Sequence, residues 1–328
     1  MIKNMKKKYI VLSIVLLISL LLALFIGNNA IETGRILSAL LGNGSEAENI
    51  IVFKIRIPRV IAAAACGAAL SVSGFILQKN LDNRIASPGL LGINNGAGLF
   101  VLISALVFPY QSGLKCIMAF LGALVVTFAI SLLSTGTGMS KTSVILSGVA
   151  VSAVCVSIVD LIISLKPETV ADKVAFQLGG FSSVQINIVS FAVPVILIFL
   201  AVSCFTAPAM DILDLGDEVA NGLGLNVKLY RFIHIICAAM LAGAAVSLCG
   251  LIGFVGLMVP NFIRLIYHGK SLGGIILNIL AGSSFLLLCD TLARTVVFPY
   301  ELPCGLILSI LGGPFLIILL IKKRKNLS

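Results

Sequence analysis

The sequence predicts an all-α polytopic membrane protein of about ten transmembrane helices, on three observations. Hydrophobic residues fill 59% of the 328 positions and charged residues only 11%. A soluble domain carries about 25% charged residues, so this chain has too little polar surface to face water. Its charges are also segregated. Lys3, Lys6, Lys7 and Lys8 precede the first apolar run, and Lys322, Lys323, Arg324 and Lys325 follow the last. Finally, apolar runs recur along the chain at lengths near the ~20 residues that cross ~30 Å of hydrocarbon.

The first run, Tyr9–Ile26, is longer than the apolar centre of a signal peptide and no small-x-small pattern follows it. It reads as an uncleaved span. Ile57–Leu77 follows, rich in the Ala and Gly that let membrane helices approach closely. Leu90–Phe108 opens with Gly92, Gly96 and Gly98 and reads as short or broken. Leu114–Ser134, Ser143–Leu165 and Ile186–Phe205 are ordinary spans, with a short surface helix expected over Ala175–Val184. Phe232–Gly250 is a second Ala/Gly-rich span. Ile252–Ile266 is short and holds Gly253, Gly256 and Pro260. Leu272–Ala293 and Leu302–Ile321 complete the ten. Short or broken helices are tolerated at membrane depth where protein covers them or they line a cavity. The whole chain, 1–328, reads as one transmembrane domain.

Basic residues concentrate in cytoplasmic loops. With the N-terminus inside, 15 of the 23 Lys and Arg fall on inside segments, which puts both termini in the cytoplasm of a multi-pass cell-membrane protein. The net charge of +10 therefore reads as orientation and lipid-headgroup contact rather than nucleic-acid binding. An outside cluster of Lys54, Arg56, Arg59 and Arg294 is left over. Ala62–Gly74 and Ala238–Gly250 match at seven of thirteen positions and run in opposite directions, which suggests an inverted repeat. The bland alternative is chance similarity of two small-residue helices.

Chemistry-bearing motifs are scarce. Across Gly136–Thr142, Thr135 and Ser140 stand where a phosphate-binding loop needs glycine, and no strand precedes it. His234 and His268 lack ligand neighbours at helical spacing, and no metal site is expected. The eight cysteines form no CxxC pair and read as small hydrophobes. Asp290 and Arg294, four apart, can pair on a helix. No chain of carboxylates accompanies them, which weighs against an ion-coupled carrier. No catalytic residues are expected, and the chain does not read as an enzyme. Asp217–Asn221 reads as a short helical turn ended by glycine inside the polar connection Ala207–Arg231, and could equally be a docking surface or a plain solvated loop.

Several ordered motifs then resemble the FecCD-type permeases of binding-protein-dependent ABC importers for iron–siderophore, haem and vitamin B12. Arg56-Ile-Pro-Arg59 resembles the family's RLPR segment. Asn83–Gly98, with Ser87-Pro-Gly-Leu-Leu-Gly92 inside it, resembles NPLADPGLLGVSSGA. Gly216-Asp-Glu-Val-Ala220 and Leu223-Gly-Leu-Asn226 resemble the GDEVARSLG.N loop. Gly253–Pro260 with Arg264 resembles GFVGLIVPH..R, and Asp290–Arg294, Glu301-Leu-Pro303 and Gly312–Phe315 complete the set. Arg84, Ser87, Leu251 and Asn261 depart from the pattern.

The resemblance implies a permease subunit, as a homodimer or with a paired homologous permease. An ABC ATPase would dock inside and an extracytoplasmic substrate-binding protein outside. It implies binding-protein docking by Arg56, Arg59 and Arg294. Gly216, Asp217, Glu218, Ala220, Gly222, Gly224 and Asn226 would couple to the ATPase, and Asn83, Ile85, Thr142 and Ser143 would lie at the gate. No cofactor is expected on this chain; ATP and magnesium would sit on the partner. An iron–siderophore, haem or cobalamin-type compound is the expected cargo. The alternative is a secondary transporter that works without ATP.

Overall fold

The computed structural model describes residues 2–27, 33–108, 111–135, 140–167, 174, 176–182, 184–297 and 300–325. Side chains of residues 2–5, 33, 112, 113, 115, 116, 135, 316 and 318–325 are not described. The expected features at 136–139, Ala175 and Lys173, and the side chains of Lys3, Lys322, Lys323, Arg324 and Lys325, lie outside the described residues.

The described chain folds into helices α1 (Ile2–Phe25), α2 (Thr33–Leu40), α3 (Glu46–Asn49), α4 (Ile57–Asn80), α5 (Ile93–Val107), α6 (Ser112–Thr135) and α7 (Lys141–Leu165). They continue as α8 (Ile186–Phe205), α9 (Ala207–Leu213), α10 (Asp217–Gly222), α11 (Val227–Cys249), α12 (Val255–Ile266), α13 (Ser271–Thr295) and α14 (Cys304–Lys325). Among the described residues, seven helical stretches are long and apolar enough to cross a membrane, and three shorter apolar helices, Ile93–Val107, Val255–Ile266 and Cys304–Phe315, fall in the remaining predicted spans. Residues 176–178 are helical within the expected Ala175–Val184 segment.

The two segments expected to be irregular are short helices for one shared reason. Each is preceded by a residue in the left-handed region, Gly92 at φ 76° and Phe254 at φ 66°. For glycine this costs little; for phenylalanine it stores strain of about 1–3 kcal/mol that packing must hold. Gly312 leaves the room that the Phe254 ring occupies. One boundary differs from expectation. Helix α4 continues backwards through a π-helical stretch, Ile50–Arg56, into α3, so helix runs unbroken from Glu46 to Asn80. Lys54 and Arg56 hid this continuity by interrupting the apolar run. The wider turn carries Val52 and Arg56 inward.

Helix α4 sits at the centre, buried on nearly every face against α11, α12 and α13. Lipid tails are as apolar as leucine, so burial of oily surface does not by itself drive helices together in a bilayer. Close packing and interhelical hydrogen bonds do. Gly67 of α4 lies against the backbone of Gly282 on α13, and Gly74 against Gly256 on α12. Proximity then lets small polar groups bond across: Ser73 Oγ donates to the Ala238 carbonyl at 2.6 Å and Ser283 Oγ to that of Ala64 at 2.8 Å. Cys66 Sγ meets the Ala245 carbonyl at 3.6 Å. Residues 66 and 73 thus face 245 and 238, so the two similar segments pack antiparallel, with opposed directions as read from the sequence.

Gly74→Leu is expected to force α4 and α12 apart and to destabilise the fold by at least the ~1–3 kcal/mol typical of overpacking. Gly34→Ala, which meets open space, is expected to leave thermal stability in detergent unchanged. Equal melting temperatures for the two variants would contradict this packing account.

Candidate functional site

Two polar ends flank the apolar bundle. At the first, helix α10 starts after Gly216, whose φ of 101° turns the chain out of α9. Asp217 Oδ1 accepts from the buried Arg231 Nη2 at 2.8 Å, tying the start of α10 to the first turns of α11. Asn226 Oδ1 accepts from the Leu229 amide at 3.1 Å and caps α11. Ala220 is buried in a small core with Leu213 and Val227. Gly216, Gly222 and Gly224 face open space, and Gly224 too has positive φ, at 82°. The result is a short helix held firmly at its base and free on its outer face.

The exposed surface of this loop includes three large apolar residues. Val219 on α10 is 50% exposed, and Leu215 before Gly216 and Leu223 just past the helix flank it at 59% and 64%. A groove of about 400 Å³ on the same loop is lined by Asp217, Asn221, Asn226 and Arg231 among others. The acidic and glycine residues of the loop stand out in the sequence and these three do not. The available signal was large apolar residues recurring inside an otherwise polar connection.

The same end is braced by charge. Lys79 Nζ at the end of α4 meets Asp214 Oδ2 at 2.5 Å and Asp211 Oδ1 at 3.3 Å. Asp211 Oδ1 also accepts from the Ser271 amide at 2.8 Å, the first residue of α13, where the helix dipole favours a carboxylate. Burial pushes the Asp211 pKa up, but the Ser271 hydrogen bonds and Lys79 more than reverse it, so its value falls below the ordinary one. Lys8, in the second turn of α1, donates to the Ile266 carbonyl at the end of α12. The first helix therefore begins at the α10 end.

The expected gate residues lie at this end on two adjoining segments. Asn83 Oδ1 accepts from the Ile85 amide at 3.0 Å, closing a turn after α4. Thr142 and Ser143 occupy the first turn of α7, capped by Ser140. Lys141 Nζ and Asp82 Oδ2, 3.6 Å apart, link the two segments. Asn261, one of the departures from the family pattern, donates to the carbonyls of Arg84 at 2.9 Å and Leu257 at 2.8 Å. It thus ties the turn to α12.

At the opposite end stand the three arginines. Arg59 donates through Nε and Nη2 to both oxygens of Asp290, at 2.9–3.3 Å, and through Nη1 to Glu301 Oε2 at 2.8 Å. Arg294 Nε lies 3.2 Å from Asp290 Oδ2, so the i,i+4 pair forms. Arg56 Nη1 donates to the carbonyls of Leu24 and Phe25 at 3.0 and 3.2 Å, and Arg294 Nη2 to that of Ala23 at 3.1 Å. These are last-turn carbonyls of α1, which lack helical partners. Arg56 and Arg294 together cap α1. All three arginines are buried. The sequence left these arginines as an unexplained outside cluster; the fold gives each of the three partners inside the chain. Arg59 and Glu301 also line a cavity of about 550 Å³ with Ser182, Gln185, Ser247 and residues 248–250.

Comparison with known proteins accords with this layout. The model of the FecCD transport family matches residues 15–322. The chain belongs to the FecCD transport family. It is 32% identical over 313 residues to the Fe(3+)-citrate import system permease protein YfmE of Bacillus subtilis, covering 95% of this chain and 93% of that one. It is 35% identical over 292 residues to the hemin transport system permease protein HmuU of Yersinia pestis, covering 85% of each. The FecCD fold also appears in a solved structure described as an inward-facing metal-chelate type ABC transporter. That match has a TM-score of 0.85 at 22% identity and covers 97% of this chain and 99% of that one.

Two outcomes test the charge networks. Asp290→Asn leaves Arg59 and Arg294 without their shared counter-charge and is expected to cost about 3 kcal/mol or more. Glu301→Gln, which removes a partly exposed partner, is expected to cost about 1 kcal/mol or less in the same thermal-shift measurement. The lowered Asp211 pKa means that its contribution is complete above the ordinary aspartate value and fades as pH falls through the folded value. The melting-temperature gap between wild type and Asp211→Asn is therefore expected to hold constant above about pH 5 and to shrink below about pH 4. A gap that widens in acid would contradict the assignment.

Proposed function

We propose that this chain is the membrane-spanning permease subunit of an ATP-driven importer for an iron chelate, haem or cobalamin-type compound. The observation that carries the reading is α10. It is a short helix pinned at its base by Asp217–Arg231, exposing Val219 and flanked by the exposed Leu215 and Leu223. A rigid, exposed apolar knob between two spans suits docking into a soluble partner. In this reading the partner is an ABC ATPase, which carries the ATP and magnesium. Gly216, Asp217, Glu218, Ala220, Gly222, Gly224 and Asn226 build the knob that the ATPase moves.

The α10 end then faces the cytoplasm, and both termini lie there, with the start of α1 at Lys8 held beside α12. Asn83, Ile85, Thr142 and Ser143 form the gate at the cytoplasmic mouth. Arg56, Arg59 and Arg294 mark the outer end, where a substrate-binding protein docks and delivers the cargo. The subunit pairs with a second copy or a homologous permease, as the resemblance implies. ATP-driven motion of α10 biases the bundle between outward- and inward-open states. The chain itself does no covalent chemistry.

Val219→Asp is expected to leave the melting temperature nearly unchanged, within the ~0.5 kcal/mol usual for surface changes. It is expected to reduce the ABC ATPase recovered by co-purification from native membranes at least fivefold. Undiminished ATPase recovery with Val219→Asp would overturn the role given to α10.

A further inference from the structure

The three arginines at the outer end are unequal. Arg56 and Arg294 spend donors on the α1 carbonyls of Ala23, Leu24 and Phe25, and Arg294 also holds Asp290. Neither lines the 550 Å³ cavity; Arg59 does. The guanidinium of Arg59 is itself divided. Its Nε and Nη2 are committed to Asp290, whose side chain is only 2% exposed and shared with Arg294. Its Nη1 points to Glu301, whose side chain is 29% exposed and which also lines the cavity. One partner is sealed inside the bundle and the other stands at the cavity edge.

We infer that Glu301 is an internal stand-in for an external carboxylate, occupying the cavity-facing edge of Arg59 until an acidic side chain of the docking protein displaces it. The inference deepens the proposed function and rests on its reading of this end as the docking face. Charge supports the exchange. Among the described residues at this end, Arg56, Arg59 and Arg294 outnumber Asp290 and Glu301 by one, and that excess grows when Glu301 leaves. A carboxylate that arrives at Nη1 meets a preset planar donor, because the Asp290 bonds fix the guanidinium. The cavity, with Ser182 and Gln185 on its wall, gives the incoming group room and neutral donors. Glu301 therefore acts as a competitor that weakens resting docking and confines strong association to a partner bearing an acidic group at the matching place.

The test uses the full chain with its ATPase in nanodiscs and, as probe, the binding protein that co-purifies with the wild-type transporter. Glu301→Gln and Glu301→Ala are each compared with wild type for probe affinity at low and at high salt, after their melting temperatures are matched. Both variants are expected to bind at least fivefold tighter at low salt, with the gain shrinking at high salt. Equal or weaker binding by both variants, with wild-type docking intact, overturns the stand-in role alone. Absence of any salt-sensitive docking by wild type would overturn the docking reading itself, and this inference with it.

Discussion

The close contact between α4 and α13 organises this protein. The two helices run antiparallel through the centre, and glycines 67 and 282 bring their backbones together near the middle. Each end is then pinned by charge. Arg59 holds Asp290 at one end, and Lys79 meets Ser271 Oγ at 2.5 Å and Asp211 at the other. Ser71 Oγ donates to Asn278 Oδ1 at 2.9 Å between these points. A bilayer gives helices little hydrophobic reason to associate. Packing that admits no side chain at the glycines, together with polar bonds made possible by that closeness, supplies the cohesion. Because the pins lie at both polar ends, this pair physically joins the α10 end to the arginine end.

The same constraint explains which parts of the fold were legible in the sequence. The ten spans were readable because a chain in lipid must satisfy its backbone within helices and cover them with apolar residues. The glycines in Leu90–Phe108 and Ile252–Ile266 correctly marked the two short helices. Their starting points were not readable, since the positive φ of Phe254 depends on the space left by Gly312 far along the chain. The helix from Glu46 to Asn80 was likewise hidden, because a hydropathy reading treats Lys54 and Arg56 as breaks while a π-helical turn carries Arg56 inside.

The candidate sites divide along the same line. Asp217–Asn221 was legible as a helical turn, and Asp290–Arg294 as a pair, because both rest on local spacing. The surroundings of Arg56 and Arg59 rest on Leu24, Phe25, Asp290 and Glu301, which no local pattern connects to them. Charge counting left these arginines as an outside cluster; folding buries them, two as caps on α1 and one at a cavity wall. The connection Ala207–Arg231 shows the reverse case. Its acidic and glycine residues stand out in the sequence, while the exposure of Leu215, Val219 and Leu223 is set by the fold.

The account depends most on this permease drawing its energy from a partner's ATP through α10, rather than from an ion gradient through its own core. The decisive measurement is uptake into proteoliposomes that contain the chain with its co-purified ATPase. A radiolabelled iron–siderophore, haem or cobalamin would be supplied on its binding protein, with ATP present or absent in the lumen facing α10. The account predicts uptake only with hydrolysable ATP, and none when the ATPase is omitted. Uptake that persists without the ATPase and follows an imposed ion gradient would contradict it and identify a secondary transporter.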